Sequence, residues 1–220
     1  MIPLRDIIPS RTTPVVTIAI IAINAVAWVY EIMMPEPVLH DFLREYGVVP
    51  AALRESTFLT SMFLHGSWSH VIGNMWYLWI FGDNVEDRMG HGRFIAFYLL
   101  CGIGAALGHV WAEPTSFLPT IGASGAIAGV MGAYFVLYPR SRVLTLIPLI
   151  IFWDIIELPA ILLLGFWFLM QLFSAGAIAV TANTAGSGGV AFVAHIAGFV
   201  LGMLGVFAFR KRQPPVEWLY

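Results

Sequence analysis

Long apolar segments separated by short polar or charged ones make up most of the sequence. A helix needs about 20 mainly apolar residues to cross a bilayer. The pattern therefore predicts six transmembrane spans, at about residues 14–34, 65–85, 94–111, 121–138, 158–177 and 190–209. No small-residue cleavage site follows the first apolar segment, so we expect a retained span and not a signal peptide.

Two regions between the spans are predicted to lie at the membrane surface. The connector between spans 1 and 2 mixes charges with apolar clusters, which is typical of short interfacial helices. The apolar stretch after span 4 is too long for one span, and two prolines and two acidic residues divide it. We interpret residues 143–156 as an interfacial or re-entrant segment. Residues 181–189 are rich in Gly, Ala, Ser and Thr and are predicted to form a mobile loop.

Composition agrees with an all-α polytopic membrane protein. Of the 220 residues, 59% are hydrophobic and 11% are charged, against about 25% charged residues in soluble domains, and the mean hydropathy is +0.83. The length favours one domain over residues 1–220. A net charge of −2 without a basic stripe gives no reason to expect nucleic acid as a partner. A single cysteine, Cys101, excludes an internal disulfide.

The distribution of basic residues predicts the orientation of the chain in the membrane. Two of the eleven, Arg44 and Arg54, fall on one side of the predicted bilayer. The other nine fall on the opposite side, and they are Arg5, Arg11, Arg88, Arg93, Arg140, Arg142, Arg210, Lys211 and Arg212. Because cytoplasmic loops carry the excess of Lys and Arg, both termini are predicted to be cytoplasmic.

Residues 120–129 form a run of small residues with one hydroxyl at its centre, that of Ser124. Gly125 and Gly129 have the G-x-x-x-G spacing that lets membrane helices approach closely, so helix packing is one interpretation. The other is that Ser124 is a nucleophile in a pocket that the glycines keep open. The motif alone does not choose between them.

Polar side chains on three spans converge at one depth. The height of each residue above the inner basic residue of its span follows from a rise of about 1.5 Å per residue. Ser124 lies about 24 Å above Arg140, and His195 lies about 22 Å above Arg210. On the same scale His70 and Asn74 lie about 27 and 21 Å above Arg88, the inner basic residue of their span. Polar groups at such depth usually face a bundle interior or a wet cavity. A polar centre in the outer half of the membrane is therefore predicted.

Each of these residues has a structural and a chemical interpretation. His195 could be a buried histidine bonded to a carbonyl, and His70 and Asn74 could join helices by hydrogen bonds. Alternatively, small faces on spans 4 and 6 would allow the contact between Ser124 Oγ and His195 Nε2 that activates a serine. His70 and Asn74 would then donate to a developing oxyanion. The zinc motif H-E-x-x-H does not occur in the sequence.

The motifs resemble those of the rhomboid intramembrane serine proteases over residues 63–205. The likeness includes His-Gly-Ser-Trp-Ser-His at residues 65–70, followed by Asn74. It continues with Gly-Ala-Ser-Gly at residues 122–125 and Ala-His-Ile-Ala-Gly at residues 194–198. Together, in order and at suitable intervals, these motifs are far more specific than a lone serine motif.

The resemblance implies a bacterial protein of the minimal six-helix form, in the inner membrane, with its site open to the outer side. Ser124 would be the nucleophile, His195 its general base, and the side chains of His70 and Asn74 the oxyanion donors. Transmembrane protein substrates and the lipid bilayer would be its partners, and no metal or organic cofactor would be needed. The connector between spans 1 and 2 would be partly immersed, and residues 181–189 with span 5 would admit substrate.

Three points stay open at this stage. A catalytically silent rhomboid-like scaffold that binds membrane segments is the alternative function, and a small transporter is a second one. The sequence does not give the oligomeric state or the substrate. Some bacterial members carry a tyrosine four residues after the serine, stacked on the histidine, whereas this chain has Ala128. What orients the His195 ring is therefore not predicted.

Overall fold

The computed structural model of the chain describes residues 1–148, 153–181 and 191–211. In these ranges the helices are α1 Val15–Ile32, α2 Glu36–Tyr46, α3 Thr57–Thr60, α4 Trp68–Met89, α5 His91–Ala112, α6 Ser124–Leu137, α7 Ala160–Thr181 and α8 Phe192–Phe209. The strands are β1 Ile2–Asp6, β2 Arg142–Pro148 and β3 Trp153–Pro159. Each predicted span overlaps one helix, and these helices are α1, α4, α5, α6, α7 and α8. The predicted loop at residues 181–189 lies outside the described residues beyond Thr181.

A mainly helical membrane protein is confirmed. Across the described ranges, four helices are long and apolar enough to cross a membrane, namely α1, α5, α7 and α8. Helix α6 is apolar but has only 14 residues. Helix α4 has 22 residues, and its last two turns carry four charged side chains, those of Asp83, Glu86, Asp87 and Arg88.

A three-stranded antiparallel sheet is the feature that the sequence prediction missed. Strands β2 and β3 pair from Arg142–Pro159 to Pro148–Trp153, and β1 pairs with the other edge of β2. The described parts of this segment, residues 143–148 and 153–156, are therefore extended, and a purely all-α fold class is wrong there. Apolar and β-branched residues make up most of both strands, and a proline ends each of them, which favours extended structure over a membrane helix.

The connector between α1 and α4 contains the short helices predicted there, α2 and α3. The loop between α2 and α3 is hydrogen-bonded to the segment that precedes α6. Val48 and Thr120 form an antiparallel bridge, in which each backbone N–H donates to the other's carbonyl at 3.0 and 2.8 Å. The connector thus supports the entry to α6.

The C-terminal end of α4 caps the start of α1. The carboxylate of the fully buried Glu86 accepts hydrogen bonds from the backbone N–H groups of Val16 and Thr17, at 2.9 and 2.8 Å, and from the Thr17 hydroxyl at 2.7 Å. The first N–H groups of a helix have no partner within the helix, and a negative charge there is favourable. The acidic end of α4 therefore stabilises α1.

Helices α6 and α8 pack backbone against backbone. A Cβ added at Gly198 would overlap the carbonyl oxygen of Gly125, and one at Gly202 would overlap that of Gly129. No other residue fits these two positions without moving the helices apart. Residues 125–134 of α6 are all buried, so α6 is the central helix of the bundle. The interpretation that the small residues allow close helix packing is therefore correct.

Gly202→Ala tests this contact. The added methyl group meets backbone that cannot rotate away, so we expect a loss of about 1–3 kcal/mol in the free energy of unfolding. The measurement is SDS-induced unfolding in mixed micelles, followed by circular dichroism. Gly176→Ala on α7 is the matched control, because nothing lies within 4 Å of its added Cβ. Equal stability of the two variants would contradict backbone contact between α6 and α8.

Asp6 joins the sheet to the bundle. Its carboxylate accepts hydrogen bonds from the Tyr134 hydroxyl at 2.7 Å and from the Asn84 side-chain amide at 2.9 Å. Burial raises the pKa of Asp6 to about 6, and the neighbouring Asp83 carboxylate adds to this effect. In the unfolded chain the pKa of an aspartate is about 3.9. The folded protein therefore holds this proton more tightly than the unfolded chain does.

A pH dependence of stability follows from Asp6. Between about pH 4 and pH 6 the folded state binds more protons, so this residue's contribution to stability is present below pH 4 and is lost as pH rises through 6. In Asp6→Asn this contribution is absent, and we expect a smaller fall in melting temperature between pH 4.5 and pH 7.5. Asp41→Asn, at an exposed position on α2, controls for the change in net charge. Identical pH dependence in all three proteins would refute the expectation.

Candidate functional site

A cavity of about 1230 Å³ opens at the end of the helices opposite the sheet. The first turns of α4, α6 and α8 border it, because all three helices begin at this end. The four side chains that the sequence placed at one depth all line the cavity, and they are Ser124, His195, His70 and Asn74.

Ser124 and His195 are directly hydrogen-bonded. The distance between Ser124 Oγ and His195 Nε2 is 2.7 Å. Ser124 is the first residue of α6, where backbone N–H groups have no partner within the helix and the helix dipole is positive. His195 lies in the first turn of α8 and is 9% exposed. The glycine contact between the two helices brings their side chains within hydrogen-bonding distance.

Two side chains of α7 hold the His195 ring, and the sequence analysis identified neither of them. Gln171 Oε1 lies 2.9 Å from His195 Nδ1, and the Trp167 ring lies beside the imidazole in a tilted arrangement, with a centroid distance of 5.9 Å and an interplanar angle of 36°. The two residues are four positions apart and share one face of α7. The signal that could have found Gln171 is a lone side-chain amide in an otherwise apolar span.

His70 presents a donor to the space beside Ser124. Its Nδ1 accepts the backbone N–H of Gly66 at 3.4 Å, so the proton of a neutral ring is on Nε2. A Cβ added at Gly122 would lie 2.6 Å from His70 Nε2 and 3.7 Å from Asn74 Nδ2. Gly122 also has φ of +122°, which a side chain would strain. The glycine therefore keeps the space in front of both donors open.

The Asn74 amide is held by a buried chain of hydrogen-bonded polar groups. Its Nδ2 donates to His65 Nε2 at 2.9 Å, and the backbone N–H of His65 donates to the Glu31 carboxylate at 3.0 Å. All three residues are buried. An amide nitrogen has two hydrogens, so one remains for the cavity. His65, a residue without a predicted role, thus orients Asn74.

This arrangement has the parts that nucleophilic chemistry needs. An imidazole in contact with a hydroxyl can take its proton, and N–H donors beside the hydroxyl can stabilise negative charge on an attacked carbonyl. Across the described ranges of the chain, no group of three or more His, Cys, Asp or Glu residues is placed to hold a metal ion.

Comparison with known proteins assigns the chain to a family. The family model of the Rhomboid domain matches residues 54–212. The chain is similar to Rhomboid-like protein 11, chloroplastic, of Arabidopsis thaliana, with 26% identity over 198 residues, which are 86% of this chain and 66% of that protein. Putative rhomboid protease YdcA of Bacillus subtilis is 31% identical over 126 residues, 56% of this chain and 62% of that protein.

A third relative, Rhomboid-like protease 5 of Toxoplasma gondii, is 32% identical over 161 residues, 71% of this chain and 16% of that protein. The chain therefore spans less than two thirds of the length of each of these three relatives. The matched region contains Ser124, His195, His70 and Asn74 together with the helices that carry them. On this evidence the chain belongs to the rhomboid family.

Proposed function

We propose that the protein is an intramembrane serine endopeptidase that cleaves single-span membrane proteins near the outer end of their transmembrane segment. The observation that carries the proposal is the 2.7 Å contact between Ser124 Oγ and His195 Nε2 inside a polar cavity of an apolar bundle. A serine is inert until a base takes its proton, and the contact supports His195 as that base.

The reaction begins with attack of Ser124 Oγ on the scissile carbonyl while His195 accepts the hydroxyl proton. Negative charge then develops on the carbonyl oxygen beside Gly122. The side chains of His70 and Asn74, with the backbone N–H of Ser124, stabilise this charge. His195 next gives its proton to the leaving amine, and water hydrolyses the acyl-enzyme with His195 again acting as base.

The substrate must leave its helical conformation to reach Ser124. The carbonyls of a transmembrane helix are occupied by backbone hydrogen bonds, which are costly to open in lipid. Glycine, proline or small polar residues near the cleavage point weaken the helix, and we infer a preference for such segments. The cavity supplies the polar surroundings that an unwound backbone requires.

The membrane placement is part of the same proposal. The helices α1, α4, α5, α6, α7 and α8 all cross the bilayer. The polar groups of α4 and the glycines of α6 are buried within the bundle, which allows these two helices to lie in the membrane. The basic residues put both termini in the cytoplasm, and the cavity then opens to the outer side. A bacterial plasma membrane fits the orientation, although the relatives include proteins named as chloroplastic and mitochondrial. The domain is a single unit over residues 1–220, with residues 54–212 matching the family.

Reaction with a fluorophosphonate probe tests the dyad. Purified protein in detergent is expected to be labelled at Ser124, because the base in contact with its hydroxyl makes it nucleophilic. Labelling, located by mass spectrometry, should disappear in Ser124→Ala and in His195→Ala. Cleavage of a transmembrane peptide with a Gly-rich outer end is measured in parallel. A folded wild type that neither reacts with the probe nor cleaves would favour the membrane-segment scaffold.

Asn74→Ala tests the oxyanion site. Removal of one donor that acts on the transition state should lower kcat by about 10²–10³-fold and leave KM nearly unchanged. Steady-state cleavage of the same peptide gives both constants. Gly92→Ala on α5 is the control, since nothing lies within 4 Å of its added Cβ and the residue does not line the cavity. An Asn74→Ala enzyme with wild-type kcat would remove this residue from the mechanism.

A further inference from the structure

Both ring nitrogens of His195 are engaged, and by groups of different kinds. Nε2 contacts the Ser124 hydroxyl, which can donate or accept, whereas Nδ1 contacts the side-chain oxygen of Gln171, which can only accept. A neutral imidazole carries one proton. Gln171 therefore keeps that proton on Nδ1, and Nε2 is left as the acceptor that faces Ser124.

We propose that Gln171 is a positioning residue that fixes the tautomer and the rotation of the His195 ring. The consequence for catalysis rests on the proposed function, whereas the tautomer does not. With the proton on Nε2 instead, His195 would donate to Ser124 Oγ and could not accept its proton. A wrong tautomer removes the base even when the geometry of the pair is unchanged.

The remainder of the ring's surroundings supports this role. The tilted Trp167 ring on α7 also contacts the imidazole, so both residues that contact the ring from this helix limit its movement. Ala128 of α6 is fully buried and has no ring to offer. The contacts that orient the His195 ring therefore come from α7 and not from α6, which carries Ser124.

The position of Gln171 on α7 is itself unexplained by packing. Its neighbours Leu169, Met170 and Phe173 are exposed large hydrophobic residues, as expected of a face turned to lipid. An amide in such a helix is costly unless a partner satisfies it. Closer to the sheet the helix is fixed, since Leu163 and Leu164 are buried and the Ala160 N–H donates to Ser141 O at 2.7 Å. That anchored end sets the height at which Gln171 meets His195.

Nitrogen NMR of protein labelled with ¹⁵N-histidine tests the tautomer directly. The His195 signals are assigned by their loss in His195→Ala. We expect a protonated Nδ1 and an unprotonated Nε2 in the wild type, and a mixture or reversal in Gln171→Leu. Gln171→Glu keeps an acceptor and should restore the wild-type pattern. A wild-type ring protonated on Nε2, or a pattern unchanged in Gln171→Leu, would overturn the proposal.

Steady-state kinetics test the consequence of the Gln171 contact for catalysis. Gln171→Leu should lower kcat by about 10–100-fold with little change in KM, because substrate contacts remain while the base is misoriented. Met170→Leu introduces the same side chain at the neighbouring exposed position and should keep wild-type constants.

The two readouts separate the possible failures. A protein that lacks activity but shows the tautomer change in Gln171→Leu retains the positioning role and loses the protease function. An active protease in which Gln171→Leu changes neither the NMR pattern nor kcat retains the protease function and refutes the role of Gln171.

Discussion

The direct contact between the backbones of α6 and α8 is the constraint on which the site depends. Glycines at positions 125 and 129 face glycines at positions 198 and 202, and no side chain separates the helices there. Ser124 and His195 lie one turn or less from this contact, so a small increase in helix separation would break a 2.7 Å hydrogen bond. Close packing and chemistry are therefore not competing explanations of the small residues, because the first makes the second possible.

The polar side chains of the site are held by other polar groups. Glu31 fixes His65, which fixes Asn74, and Gln171 fixes His195. In an apolar bundle an unsatisfied polar group is costly, so these partners reduce the cost of burial as well as limiting rotation. The cavity thus combines exposure of reactive atoms on one side with hydrogen-bonded support on the other.

How much the sequence predicted depends on whether the residues around a contact mark it, and not on its separation along the chain. The pairing of Ser124 with His195 was predictable, because the small residues around each lie within one turn and mark the faces that meet. The contact of Gln171 was not, since no residue around it marks His195, on another helix, as its partner. Strands β2 and β3 were missed because hydropathy does not separate an apolar strand from an apolar helix, and here the prolines and pairing with β1 decide.

A neutral partner for His195 is what the location of the site favours. A carboxylate would orient the ring equally well and would also stabilise its charged form. It would, however, have to be buried in an apolar helix within the bundle, where an ionised group costs several kcal/mol unless it is fully paired. An amide oxygen fixes the tautomer through one hydrogen bond and carries no net charge. In a site built inside a bilayer, control of the proton's position can thus be kept while the cost of a permanent charge is avoided.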